Sequence, residues 1–387
     1  MKTNLNSKMV GLSFLNSSFT ENHLDLISQY VSSNKIQALE FHNAFSNKAV
    51  INFFLTTFLT SLSQCSDFTS LYIDKIEKID LDLLLQNLPQ QVKSLSVINC
   101  DVSINQALKT IKTNSKFSNN LNVLNLSFNT IDAYQETVSF PNCLTVIILD
   151  YVTFPNGNLA PFLNSLFRSI NNDSEISLIQ MKSSDDDFNK LDRMFYKLVL
   201  DFQKNPENLR RIRSLNWNFN PISTFFIEFL KMQPNLDCIS VSGCFSSTDS
   251  KGFEEFCSFV SSSKSLKKLI CRKFNRNYLG SLTPRLIEAV SASKVSFLDI
   301  SGSRGGEKCY RCLKSLIGSS NKKGENPSSI NRNEQKEVST SKEPTINQTL
   351  ALNGEVSSNN ESIINQQIAL NSEVSTSNEI ENLNNDK

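Results

Sequence analysis

Apolar positions along most of the chain alternate between a short strand-like motif and a stripe of helical period. Residues 121–131 carry Leu121, Leu124, Leu126 and Ile131 at the first, fourth, sixth and eleventh places and Asn129 at the ninth. Residues 212–222 repeat the spacing with Ile212, Leu215, Trp217, Asn220 and Ile222. Looser copies begin at Met9, Ile36, Phe68, Val92, Leu144, Ile176, Leu236, Leu266 and Val295. Each is apolar at the first, fourth and sixth places, except for Cys271 in the tenth copy. Successive starts lie roughly 29 residues apart, the scale of one strand plus one helix.

Helical stripes follow the strand motifs. Ile51, Leu55, Phe58, Leu59 and Leu62 share one helix face, as do Leu81, Leu84, Leu85 and Leu88, and Leu191, Met194, Phe195, Leu198 and Phe202. The motif's three apolar residues and the helix stripe point into one interior that no single unit covers alone, so neighbouring units must stack. At this point the chain resembles the ribonuclease-inhibitor-like leucine-rich repeats, whose units have this length and a full helix. The resemblance covers roughly residues 9 to 318. It implies an α/β fold, a horseshoe solenoid of about eleven repeats with a parallel concave sheet and convex helices. Departures gather at the ninth place, normally Asn. Cys100 and Cys244 are the permitted alternative, but Ala44, Ile76, Val152 and Phe274 are not, and irregular curvature is expected there because the turn amides need other acceptors.

Composition narrows the picture. With 387 residues, 39% hydrophobic and 27 Phe, the chain can build a large core. The nine cysteines are odd in number and scattered, and the start MKTNLNSKMV lacks a basic segment followed by a long apolar run. No window of 18 consecutive apolar residues exists. The reading is a reduced, cytoplasmic protein. From about Ser319 the sequence turns to Asn, Ser, Glu and Thr without aromatics. Residues 319–387 are therefore read as a disordered tail after a 1–318 solenoid. Within the tail, residues 350–357 (LALNGEVS) recur as residues 368–375 (IALNSEVS), either a duplicated short linear motif or, more commonly, slippage in low-complexity sequence.

Catalytic and metal chemistry find little support. His23 and His42 are the only histidines. Neither lies near a nucleophile in sequence, and His42, at the seventh place of its repeat, projects from the concave face. Cys309 and Cys312 resemble half a zinc or redox motif, yet with Leu313, Leu316 and Ile317 they form a helical core stripe. Gly302, Gly305 and Gly306 lack the Lys-Ser/Thr ending of a phosphate loop. Asp185, Asp186 and Asp187 precede a helix, where carboxylates act as caps. No cofactor, metal or small-molecule substrate is expected.

Partner binding is the stronger expectation. The third, fifth, seventh and eighth places face outward or border the sheet. They nominate Tyr72, Asp74, Asn125, Ser127, Phe128, Asp150, Tyr151, Gln180, Lys182, Asn216, Asn218 and Phe219 as a concave protein-binding stripe. Trp217, at a sixth place, belongs to the core. The net charge of +1 hides a basic segment over 264–323 and an acidic tail beyond it. Lys264, Lys267, Lys268, Arg272, Lys273 and Arg276 form a basic patch without one acid among them. An acidic protein surface is its first expected partner, an anionic membrane the second, and nucleic acid is not expected. Among solenoids of this kind the chain looks closest to the CARMIL-like cytoskeletal regulators, which implies actin regulation. Capping-protein binding in that group implies a basic, proline-containing tail motif, and the acidic tail here has nothing that matches it. Ran GTPase-activating proteins are similar solenoids with acidic tails and supply the enzymatic alternative.

Overall fold

The computed structural model describes residues 11–45, 47–77, 79–114, 117, 120–131, 140–154, 158–181, 187–245, 250–272, 279–300 and 350–351. Within them, strands and helices alternate. The strands are β1 (Gly11–Leu15), β2 (Ala38–His42), β3 (Ser70–Asp74), β4 (Ser94–Ile98), β5 (Val123–Asn125), β6 (Val146–Ile148), β7 (Ser174–Ser177), β8 (Ile212–Asn216), β9 (Cys238–Ser240), β10 (Lys268–Ile270) and β11 (Phe297–Asp299), with β12 (Leu350–Ala351) last in the sheet order. The helices are α1 (Glu21–Asn34), α2 (Lys48–Phe53), α3 (Leu59–Ser61), α4 (Leu81–Asn87), α5 (Ile104–Thr113), α6 (Leu159–Ser169), α7 (Asp187–Lys204), α8 (Thr224–Lys231), α9 (Ser250–Ser262) and α10 (Leu279–Ser291). A π-helical turn, Phe54–Phe58, joins α2 to α3.

Sheet order follows chain order, and every pairing from β1 to β11 is parallel. The architecture is thus a repeated strand–helix unit on one parallel sheet. Registers are regular. Leu39, Leu71, Leu95, Leu124 and Ile147, all fourth-place residues, lie side by side and are buried. Polar side chains cap several helices. Asp80 Oδ1 accepts from the Leu83 amide (3.0 Å) and Ser103 Oγ from Gln106 (3.3 Å). Thr20 and His23 form a capping box at α1, which gives His23 a local structural task.

One register expectation is corrected. The seventh copy does not start at Ile176. That residue pairs with Ile147 and Leu215 and so holds the fourth place. Ser174 stands opposite Ile212, and the register shifts at Ser174/Glu175. The first place is therefore polar, and Leu178 rather than Met181 fills the buried sixth. Ser174 is fully buried, and its hydroxyl donates to the Asn171 carbonyl (2.7 Å), which is why a search for apolar first places slides past it. Gln180 then belongs to the turn, and Lys182 lies outside the described residues.

Behind the sheet the core is rich in phenylalanine. Phe41, Phe54 and Phe58 pack at 5.3–6.0 Å, and Trp217 stacks on Phe226 at 4.7 Å. Trp217 is buried as expected, its indole donating to the Pro221 carbonyl (3.0 Å). The 318/319 boundary, the tail apart from β12, Phe274, Gly302 to Gly306, Cys309, Cys312, Asp185 and Asp186 lie outside the described residues. Asp187 opens α7.

Candidate functional site

Beyond each strand the chain turns through the left-handed region. Asn16, Asn43, Lys75, Asn99, Phe128, Tyr151, Gln180, Phe219 and Gly243 all have φ between 42° and 66°. Each is the eighth place of its unit. The amide of each turn residue from Asn16 to Phe219 donates to the seventh-place carbonyl of the next unit, as in Phe128 to Asp150 (2.9 Å) and Phe219 to Ser242 (2.8 Å). Hydrogen bonding between units thus continues past the strands and fixes the direction of each turn side chain.

Ninth-place asparagines brace these turns. Asn129 Oδ1 accepts from the Cys100 and Val102 amides, and its Nδ2 donates to the Val97 carbonyl at 2.7 Å. Asn220 accepts from the Met181 amide at 2.9 Å and donates to the Leu178 carbonyl. The Cys100 thiol donates to Ile98 and that of Cys244 to Trp217, each at 3.1 Å. Ala44, Ile76 and Val152 are buried at the same place.

The side of the sheet away from the helices carries a polar ladder. Ser127 Oγ donates to Asn125 Oδ1 (2.6 Å) and accepts from the Asp150 amide (3.1 Å). Asp150 Oδ1 accepts from Ser177 Oγ (2.7 Å) and the Ile179 amide (2.9 Å). Asn218 Oδ1 accepts from Ser240 Oγ (2.7 Å) and the Ser242 amide (2.6 Å). Asn125, Ser127, Asp150 and Asn216, all nominated as partner-facing, are buried. The carboxyl, hydroxyl and carboxamide oxygens of Asp150, Ser127 and Asn125 bond within the chain, while Asn125 Nδ2 is buried without a hydrogen-bond partner.

The exposed part of the nominated stripe lies at the turns, at Phe128, Gln180 and Phe219. Phe128 and Tyr151 stack face to face at 4.6 Å with an interplanar angle of 12°. Phe128 is 39% and Phe219 42% exposed. Phe219 leans over Gly243, where an added Cβ would approach its Cδ1 to 2.5 Å. Gln180 is exposed, and Asn218 is half-buried. Beside Phe128 a recess of about 310 Å³ is lined by Glu77, Asn99, Asp101, Asn129 and Thr130.

At the N-terminal end of the same face, His42 lies 3.5 Å from Asp74, 3.6 Å from Glu40 and 4.6 Å, ring to ring, from Tyr72. Hydrogen bonding to Asp74 and then Glu40 raises the imidazole to about 9, and the same hydrogen bond from His42 holds the Glu40 carboxyl below its ordinary value. Burial, then the charges of Asp74 and Glu40, pushes the Tyr72 phenol up. An imidazolium held between carboxylates makes a poor general base at neutral pH. Burial raises the Cys100, Cys244 and Cys257 thiols to about 12, which keeps these three protonated at neutral pH. Glu40 and His42 were absent from the nominated stripe, although their fifth and seventh places mark them for it. Ser177 and Ile179 were hidden by the misplaced seventh register.

The basic patch is partly neutralised. Arg272 Nε donates to Asp299 Oδ2 at 2.6 Å, and the Asp299 side chain is 0% exposed. Lys268 Nζ lies 5.1 Å from the centre of the Phe297 ring. Lys264 and Lys267 are exposed, while Lys273 and Arg276 lie outside the described residues. Among the described residues no helix is long and apolar enough to cross a membrane. No protein-family model matches this chain, and no curated protein matches it either.

Proposed function

We propose that the chain is a leucine-rich-repeat solenoid of the ribonuclease-inhibitor-like type, and that it serves as a non-catalytic scaffold holding another protein. The chain-ordered parallel sheet, the left-handed eighth places and the bracing Asn129 and Asn220 support the first part. The contact surface is the rim where the strands turn outward, centred on Phe128, Tyr151 and Phe219, with Tyr72 and Asp74 toward the N-terminal end. The observation that carries this reading is the Phe128–Tyr151 stack, an exposed ring on a half-buried one, held on turns with φ of 59° and 57°. Aromatic side chains already ordered before association lose little rotamer freedom on binding, and such residues dominate protein interfaces.

A photoreactive phenylalanine analogue placed at 128, at 219, and at 196 on α7 tests the assignment in extracts of the source cell. One protein adduct shared by positions 128 and 219 and absent from 196 is expected. Equal labelling from all three, or labelling from 196 alone, overturns it. Stimulated hydrolysis by purified small GTPases would instead favour the Ran-type reading and overturn the non-catalytic part. An actin-regulatory role predicts an actin-associated protein as the shared adduct.

A further inference from the structure

Six large apolar side chains are exposed among the described residues, and three of them, Leu15 (65%), Leu26 (62%) and Tyr30 (44%), lie in the first strand–helix unit. Among the described residues that unit ends the sheet order, and β1 pairs only with β2. Exposed strand edges are ordinarily protected by charges, prolines or bulges. β1 reads GLSFL, with no charge and no proline. Helix α1 is equally uncovered, since only Leu24 and Val31 of its fourteen residues are buried. Between the two elements, Phe14, Phe19, Leu26 and Ile27 wall a recess of about 390 Å³. A unit at the end of a stacked array needs a polar outer face, and this one, the first of the described units, presents an apolar face beside a strand edge that no other described strand covers.

We propose that this face binds the same face of a second copy of the chain about a two-fold axis. Two β1 edges joining antiparallel into one continuous sheet require an axis normal to that sheet. The same axis passes on into the helix layer and sets the two α1 helices antiparallel. Five strand residues span roughly 17 Å and fourteen helix residues roughly 21 Å, lengths close enough for one axis to pass near both midpoints, Ser13 and the turn between Leu26 and Tyr30. Leu26 of each copy then meets Tyr30 of the other. Glu21, in the first turn of α1, meets Lys35 at the other helix's C-cap, and the match occurs twice. The face is therefore self-complementary in hydrogen bonding, apolar surface and charge, the conditions for an isologous contact. It is separate from the aromatic rim, and the two readings can fail independently.

Sedimentation velocity of the full chain over a micromolar concentration series tests this. Twice the 43.6 kDa chain mass is expected at the upper end. The double variant Leu26→Glu/Tyr30→Glu is expected to be monomeric, with the unfolding midpoint that the parent shows at concentrations low enough to dissociate it. Glu21→Lys should weaken association roughly tenfold by opposing like charges at two places, and Glu21→Lys/Lys35→Glu should restore it. A chain monomeric at every concentration, a dimer indifferent to the Leu26/Tyr30 changes, or a charge swap without rescue overturns the proposal. So does a monomer that dimerises only after residues 1–10 are deleted, which would make those residues the occupant of the face.

Discussion

Asp150 accepts hydrogen bonds from Ser177 and Ile179 in the middle of the polar ladder, and burial raises its carboxyl from 3.8 to about 6. The unfolded chain gives up this proton near 3.8 and the folded chain near 6. The group's contribution to stability is therefore full below 3.8 and lost as pH rises to about 6. Asp150→Asn keeps the acceptor and removes the charge. Its urea midpoint should exceed the parent's above pH 6 and converge with it near pH 4; a lower midpoint at pH 7 would show that the carboxylate is well compensated. His42 titrates on the other arm. Its contribution is present below 6.5 and disappears as pH passes about 9, so His42→Gln should flatten the alkaline loss of stability. At Gly243, φ is +66° and Phe219 occupies the space of a Cβ. Gly243→Ala should cost about 1–2 kcal/mol from the left-handed backbone alone. Part of any further loss should be recovered by Phe219→Ala, which a double-mutant cycle in urea would measure.

Elements depend on single polar residues at their ends. Asn129 joins β4, the turn after β4 and the turn after β5 through one carboxamide. Asn129→Ala leaves those buried backbone groups unpaired, for a loss of about 1–3 kcal/mol in denaturant unfolding. Ser223→Ala removes the hydroxyl that caps α8 at the Phe226 amide and should cost about 1 kcal/mol. A milder effect at Asn129 than at Ser223 would contradict the bracing role. Strand and helix identity in these units was readable from spacing, because apolar side chains at fixed intervals can be kept dry in only one arrangement. The seventh unit shows where spacing misleads. Ile176 and Ile179 imitate first and fourth places, while the true first place, Ser174, stays buried by bonding to Asn171. A hydroxyl satisfied by a local carbonyl is invisible to a hydrophobic pattern.

Across the molecule, each unit is stabilised chiefly by its neighbours, and charge is rearranged in the same way. The basic segment looked free in sequence, but Arg272 answers Asp299, 27 positions away. Arg272→Glu would set two carboxylates together at a buried site and damage the fold. Charge reversal is better made at the exposed Lys264 and Lys267. The scaffold reading expects the parent and Lys264→Glu/Lys267→Glu alike to show no salt-sensitive binding to anionic vesicles in a flotation assay. Salt-sensitive binding lost in the variant would favour membrane association. By itself the sequence determined the unit, its repetition and the buried face, since these follow from periodicity and the need of each unit for the next. Only the tertiary structure decided which outward-facing residues remain available. Whether Asp150 or Arg272 presents its polar group to solvent depends on the side chain delivered beside it by a unit 27 residues along the chain, and spacing within one unit carries no record of that neighbour.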